Sequence, residues 1–161
     1  MAGSLVITGH RDIADSYRGK VEINVRATLL LGEYDRIILG GAKGVDTIAL
    51  RAAGMAKHEG NFEVIVMVPD RVGNQPEGSQ IAIRRHADKV IELQKEITRA
   101  DGWYSFKNRN IQMLNLALEY EGKKTLLAFC DGSPSGSQHA INQAKEKGFE
   151  VEVIEVQKYR R

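Results

Sequence analysis

Arg36-Ile37-Ile38-Leu39-Gly40-Gly41-Ala42-Lys43-Gly44-Val45-Asp46 is the stretch whose reading decides the fold. A short apolar run ends on a glycine-rich turn. Beyond it Ile48, Ala49, Ala52, Ala53 and Ala56 form a small-residue face at helical spacing, suited to close packing on a sheet. A strand that turns through glycines directly into a helix is half of a strand–helix–strand unit. In that setting a glycine loop carries information, because the free amides of the helix start attract an anion. The spacing is neither the Walker lysine loop nor the dinucleotide fingerprint. Phosphate cradling by Gly40, Gly41 and Gly44 is one reading and a ligand-free tight turn the other. Asp46 is either a helix-start cap or a ligand contact.

The same rhythm continues in both directions. Leu5-Val6-Ile7-Thr8, Val64-Ile65-Val66-Met67-Val68, Lys89-Val90-Ile91-Glu92, the run from Thr125 to Cys130 and the run from Val151 to Val156 read as further strands. Most are apolar throughout, as strands covered on both faces are, whereas the last alternates like an edge strand. Between them lie helical stripes: Val21, Val25 and Leu29; Ile111, Leu114 and Leu118; Ala140, Ile141 and Ala144. A shorter helix is expected near residues 79–86, and Gly60 and Gly148 stand where helices should stop. Strands alternating with helices predict a Rossmann-like three-layer α/β/α fold with a mainly parallel sheet of about six strands. Nothing divides residues 1–161, so a single domain is expected.

Composition narrows the function. The chain carries 23 basic and 21 acidic side chains, a formal charge of +2, which is too small to argue for nucleic acid. The basic end, Lys158, Arg160 and Arg161, reads as solvated. Cys130, the single cysteine, lies in an apolar run and reads as a buried, inert thiol. No metal constellation is formed by His10, His58, His86 and His139, and neither a metal nor a cofactor is expected. The absence of a signal peptide and of a membrane-spanning run predicts a cytoplasmic protein without a membrane partner.

Three further segments join the glycine turn as candidates. Thr8-Gly9-His10-Arg11-Asp12 ends the first strand, so its hydroxyl, glycine and cations reach the same sheet edge. His10 alone reads equally well as structural, and Arg11 as a partner of Asp12 or Asp15. Asp131-Gly132-Ser133-Pro134-Ser135-Gly136-Ser137-Gln138 follows the fifth strand. Gly136 and Ser137 suit a phosphate at a helix start, although Ser137 is equally a plain cap. Lys107-Asn108-Arg109-Asn110 leads into the stripe at Ile111, and two cations at a helix start, where the macrodipole disfavours them, point to a nearby anion. Two irregular stretches remain. Residues 70–78 form a polar loop, a lid or a long turn, and residues 98–108 lack helical periodicity and carry Trp103, Tyr104 and Phe106.

Ile7-Thr8-Gly9-His10-Arg11-Asp12, then Gly40-Gly41-Ala42-Lys43-Gly44-Val45-Asp46, then Arg109-Asn110-Ile111-Gln112-Met113 resemble, in that order, the SLOG superfamily, nearest to its YspA/YpsA-like branch. Those proteins show a Gly-x-Arg-Asp start, a Gly-Ala-x-Gly-x-Asp loop and an Arg-Asn-x-x-Met helix start, and the likeness runs from about Leu5 to Val156. DNA-processing protein A and the Lonely guy phosphoribohydrolases belong to the superfamily. The resemblance implies a domain that binds, senses or hydrolyses a nucleotide-like small molecule, and it leaves room for a homo-oligomer. Its ligand contacts would be Thr8, Gly9, His10, Arg11, Gly40, Gly41, Ala42, Lys43, Gly44, Asp46, Arg109, Asn110, Gly136 and Ser137.

One departure bears on chemistry. The phosphoribohydrolases carry a Pro-Gly-Gly-x-Gly-Thr-x-Glu-Glu loop whose glutamate helps break the N-glycosidic bond. With Gly136-Ser137 in the place of Gly-Thr, His139 and Ala140 occupy the two glutamate positions. Binding is therefore expected first. An N-glycosidase acting through another acid, with Glu92, Asp131, His10 or His139 as catalytic candidates, is the alternative. Single-stranded nucleic-acid binding through the aromatics comes last.

Overall fold

The structure, a computed structural model, describes residues 3–93 and 102–159, the second stretch with side chains from residue 106 onward. Six strands, β1 (Gly3–Gly9), β2 (Tyr34–Gly40), β3 (Glu63–Val68), β4 (Lys89–Glu92), β5 (Lys124–Cys130) and β6 (Glu150–Glu155), pair in the order β4-β3-β2-β1-β5-β6. Every neighbouring pair is parallel. The helices are α1 (Arg18–Leu30), α2 (Val45–Ala56), α3 (Glu77–His86), α4 (Gly102–Leu118) and α5 (Gly136–Glu146).

Strand residues alternate between two cores, which makes the three layers. Leu5, Ile7, Ile37, Leu39, Val64, Val66, Leu127 and Phe129 pack with α1, α2 and α3. Val6, Ile38, Ile65, Met67, Leu126, Ala128 and Cys130 face α4 and α5. This two-sided burial is why the strands read as continuous apolar runs. The weak strand β4 and the alternating β6 are the two edges. The expected stripes of α1, α2 and α5 are buried as read. Gly148, at φ +82°, follows the C-cap of α5, whereas α2 ends at Ala56 before reaching Gly60. Cys130 is buried, and burial pushes its thiol up from the ordinary range.

Two sequence expectations need correction, both in α4. The segment from residue 102 to 108 is helical, so Arg109 lies well inside α4 and the helix-start argument for its two cations does not hold. The buried face is Met113, Leu114 and Ala117, with Leu118 exposed, so the stripe is rotated from the one expected. Residues 98–101 of the aromatic segment, and the side chains of Trp103 and Tyr104, lie outside the described residues. Of residues 70–78, the last two open α3 and the rest form a pinned turn. Asp70 accepts from Asn74 Nδ2 (3.0 Å) and Gln75 Nε2 (2.7 Å), and Gln80 donates to the Gln75 carbonyl (2.8 Å).

The sheet direction reverses at β1. The chain builds β2, β3 and β4 outward on one side and then crosses to place β5 and β6 on the other. In an open parallel sheet the loops diverge at such a reversal and leave a crevice at the C-terminal strand ends.

Candidate functional site

A pocket of about 510 Å³ occupies that crevice. Its walls come from the end of β1 and the following loop (Thr8, Gly9, His10, Arg11, Asp12), the start of α2 (Ala42, Asp46), α4 (Phe106, Arg109, Asn110) and the start of α5 (Ser135, Gly136, Ser137), with Lys158 from the C-terminal segment. Ten of the sequence-expected ligand contacts therefore meet in one cavity, of a size usual for small-molecule sites.

Arg109 dominates the electrostatics. It is 4% exposed; Nε donates to Asn110 Oδ1 (3.1 Å), and Nη1 has no hydrogen-bond partner. Asn110 Nδ2 in turn donates to the Gly136 carbonyl at 3.4 Å, tying α4 to the start of α5. A buried guanidinium with an orphan donor is costly unless something accepts from it. Arg11 joins it from the β1 loop. Its guanidinium carbon lies 3.3 Å from the Phe106 ring centroid, and that of Arg109 lies 5.5 Å from the same centroid. Arg11 thus stacks on Phe106 instead of pairing with Asp12 or Asp15. Desolvation and then the like charge of Arg109 lower its pKa from the ordinary arginine value.

Asp46 is the buried carboxyl of the pocket. Burial pushes it up to about 6, against the pull of Arg109, the Ala42 amide and Arg11. The Ala42 amide donates to Oδ2 at 3.3 Å. Asp46 therefore orders the glycine turn from inside α2 and faces the cavity; it is not the helix cap, since Gly44 holds that position and no side chain caps the helix.

The glycine turn itself has a different use from the one expected. Gly40, Gly41, Lys43 and Gly44 are not among the lining residues. A Cβ on Gly40 would stand 2.7 Å from Arg109 Cζ and 2.8 Å from Asp46 Oδ2, so the missing side chain is what lets that pair close over the end of β2. Gly41 packs against Val68 and Ile83. Gly44 has φ +79°, and a Cβ there would meet the Arg11 carbonyl oxygen at 2.2 Å. The Val45 amide, first in α2, donates to the His10 carbonyl (3.1 Å). The turn is thus docked onto the β1 loop. Lys43 pairs with Asp12 at the surface (3.1 Å).

The start of α5 is the helix terminus that opens on the pocket. Ser135, not Ser137, is its cap, accepting from the Gln138 amide at 3.2 Å. Gly136 and Ser137 lie in the first turn, whose amides have no intrahelical acceptor, and Ser137 is buried against the cavity.

The four catalytic candidates do not converge. Glu92 ends the edge strand β4 and accepts from the Val72 amide (2.8 Å), with β3 and β2 between it and the crevice. His139 is inside α5 and does not line the pocket. His10 and Asp131 engage each other. The Asp131 amide donates to His10 Nε2 at 2.8 Å, and Oδ1 lies 3.0 Å from the same nitrogen. Burial lowers the His10 pKa, and both contacts to Asp131 fall on the one ring nitrogen, Nε2. Hydrogen bonds from the Ser133 hydroxyl and amide hold the Asp131 carboxyl well below the usual carboxylate range. The pair buttresses the loop after β5.

Lys158 was expected to be part of a solvated end; it is instead a wall residue. The Val156 amide donates to the Cys130 carbonyl (3.2 Å), the Ala14 amide to the Gln157 carbonyl (2.9 Å) and the Tyr159 amide to the Asp12 carbonyl (3.1 Å). This antiparallel strap puts Lys158 Nζ 3.0 Å from Ser133 Oγ. The one hint in the sequence is the apolar Val156, two residues ahead of it. Arg160 and Arg161 lie outside the described residues.

Sheet order, the crevice at the reversal and the helix starts around it define a Rossmann-like three-layer α/β/α fold. Among solved structures, DNA processing protein A from Streptococcus pneumoniae is similar over 94% of this chain, with a TM-score of 0.69 and 19% identity. The match covers 50% of that protein, so this chain spans half of its length, and at this identity the likeness is one of fold. A molybdenum cofactor binding protein from the phototrophic bacterium Rippkaea orientalis aligns over 94% of this chain and 89% of its own, with 14% identity and a TM-score of 0.44. No protein-family model and no curated protein sequence matches the chain. Among the described residues no helix is long and apolar enough to cross a membrane, and no cluster suited to a metal ion occurs.

Proposed function

We propose that the chain binds a nucleotide or nucleotide-derived anion in the crevice between β1 and β5, as a binding or sensing domain. The observation that carries this reading is Arg109, a buried guanidinium that lines the pocket and whose Nη1 has no hydrogen-bond partner. A phosphate in the pocket gives the guanidinium an anionic partner, and the first-turn amides of α5 add further donors. The ring of Phe106 and the hydroxyls of Thr8 and Ser137 offer contacts to the base and sugar.

The test is titration calorimetry with purine and pyrimidine nucleoside mono- and diphosphates, on the wild type and on Arg109→Met. Losing charge-assisted hydrogen bonds costs about 1.5–3 kcal/mol, a loss of roughly 10- to 100-fold in affinity. Methionine fills similar space but leaves the buried Asp46 carboxyl without its neighbouring cation, so thermal stability is expected to fall at neutral pH, and binding is compared at a temperature where both proteins are folded. Undiminished binding by Arg109→Met, or no binding of any nucleotide by the wild type, overturns the proposal.

Hydrolysis has one observation in its favour, the buried Asp46 carboxyl at about 6, within the range of a general acid. Chromatography of the same mixtures is expected to show intact nucleotide. Free base, lost in Asp46→Asn, makes the site a glycosidase.

A further inference from the structure

We infer that the pocket holds two anionic groups at once, so that its ligand class is a nucleoside diphosphate or an ester of one, with Lys158 as the residue that selects it. The inference rests on the proposed nucleotide reading and adds the number and placement of the phosphates.

Three cations line the cavity, Arg11, Arg109 and Lys158, and none forms an ion pair among the described residues. Of the lining carboxylates, Asp12 is paired with Lys43, which leaves Asp46 alone to face three cations. Positive charge is therefore in excess, and it is spread out. Arg109 closes over Gly40, at the end of β2. Lys158 is held by Ser133, in the loop after β5. β1 lies between those two strands, so the elements that anchor the two cations are about two inter-strand spacings apart, roughly 10 Å. One phosphate cannot accept from both at about 2.8 Å. Two linked phosphates span the gap, with Gly136 and Ser137 at the start of α5 between the anchors.

Lys158 is suited to the second position because its ammonium forms no direct ion pair and meets the Asp131 carboxylate only through the Ser133 hydroxyl, which leaves donors for a phosphate. The strap, bonded to both the β1 loop and the end of β5, fixes where the ammonium can reach.

The experiment compares a nucleoside monophosphate with its diphosphate, together with inorganic phosphate and pyrophosphate, by calorimetry on the wild type, Lys158→Met and Lys158→Arg. The wild type is expected to bind the diphosphate about tenfold or more tightly than the monophosphate. Lys158→Met is expected to weaken the diphosphate about tenfold or more beyond any loss for the monophosphate, which removes that preference, and Lys158→Arg keeps it. Where Lys158→Met does not fold, Lys158→Gln, which retains a donor toward Ser133, gives the same comparison. Equal binding of mono- and diphosphate by the wild type overturns this inference and leaves nucleotide binding standing, as does an equal loss of both in the Lys158 variants. Binding of neither nucleotide overturns both.

Discussion

Asp46 and Arg109 show how a pocket residue sets the stability of the whole chain. The folded carboxyl of Asp46 is raised to about 6 from an ordinary 3.8. Between those values the native state binds more protons than the unfolded state, so this group lowers stability as pH rises from about 4 to about 6. The cost is complete above that window, on the order of 3 kcal/mol for a shift of this size. His10 acts in the opposite sense: its folded pKa lies below 6.5, so its contribution is lost as pH falls through that region. The wild-type profile mixes the two, and Asp46→Asn separates them. Asparagine can still accept from the Ala42 amide without carrying charge, so the variant is expected to melt several degrees higher at pH 7.5. The difference should shrink to nothing near pH 4, as differential scanning calorimetry across that range would show. A variant less stable than the wild type at pH 7.5 would mean that the attraction to Arg109 outweighs the cost of burying the carboxylate.

At the scale of elements, the two junctions around the pocket have different sensitivities. Gly44 combines a left-handed φ with a close approach to the Arg11 carbonyl, so Gly44→Ala has neither a relaxed backbone nor space for its methyl. It is expected to cost more than about 2 kcal/mol, beyond the roughly 1–2 kcal/mol of the conformation alone. Gly132, with φ +84° and nothing within 4 Å of a Cβ, bears only the conformational part. Urea midpoints for the two alanine variants test that order, and equal midpoints would remove the docking role given to the glycine turn. The strands, α1, α2 and α5 were legible in the sequence because each presents apolar side chains to a core. The beginning of α4 was not. Its inward residues are Phe106, Arg109 and Asn110, which keep the helical spacing that leads to Met113 but face the pocket, so polar side chains stand where the period calls for apolar ones. The site residues themselves were mostly legible, since loops at the C-terminal ends of parallel strands converge whatever their sequence. The use of each was not. That Gly40 and Gly44 accommodate protein atoms is a matter of contact, and the placement of Lys158 depends on a strap whose pairing leaves no periodic trace.

The whole molecule separates a nucleotide from a nucleic acid. Binding a phosphate backbone needs several clustered cations, each releasing counterions, and its affinity falls steeply with salt. Here 23 basic side chains are nearly balanced by 21 acidic ones. The cations without ion pairs that surround the crevice point into a cavity of about 510 Å³, large enough for one nucleotide but not laid out as a track for a strand. The likeness to DNA processing protein A lies in the fold, over half of that protein, and the fold alone does not transfer a ligand. Fluorescence anisotropy with a labelled single-stranded oligonucleotide is therefore expected to show no saturable binding below about 10 µM at 150 mM salt, given typical non-specific affinities. Any association at low salt should leave nucleotide binding in the pocket unaffected. Saturable, salt-steep binding that a nucleotide displaces, and that Arg109→Met weakens, would mean that the pocket receives the end or a flipped base of a longer strand. The diphosphate preference would then describe two consecutive backbone phosphates, not a free ligand.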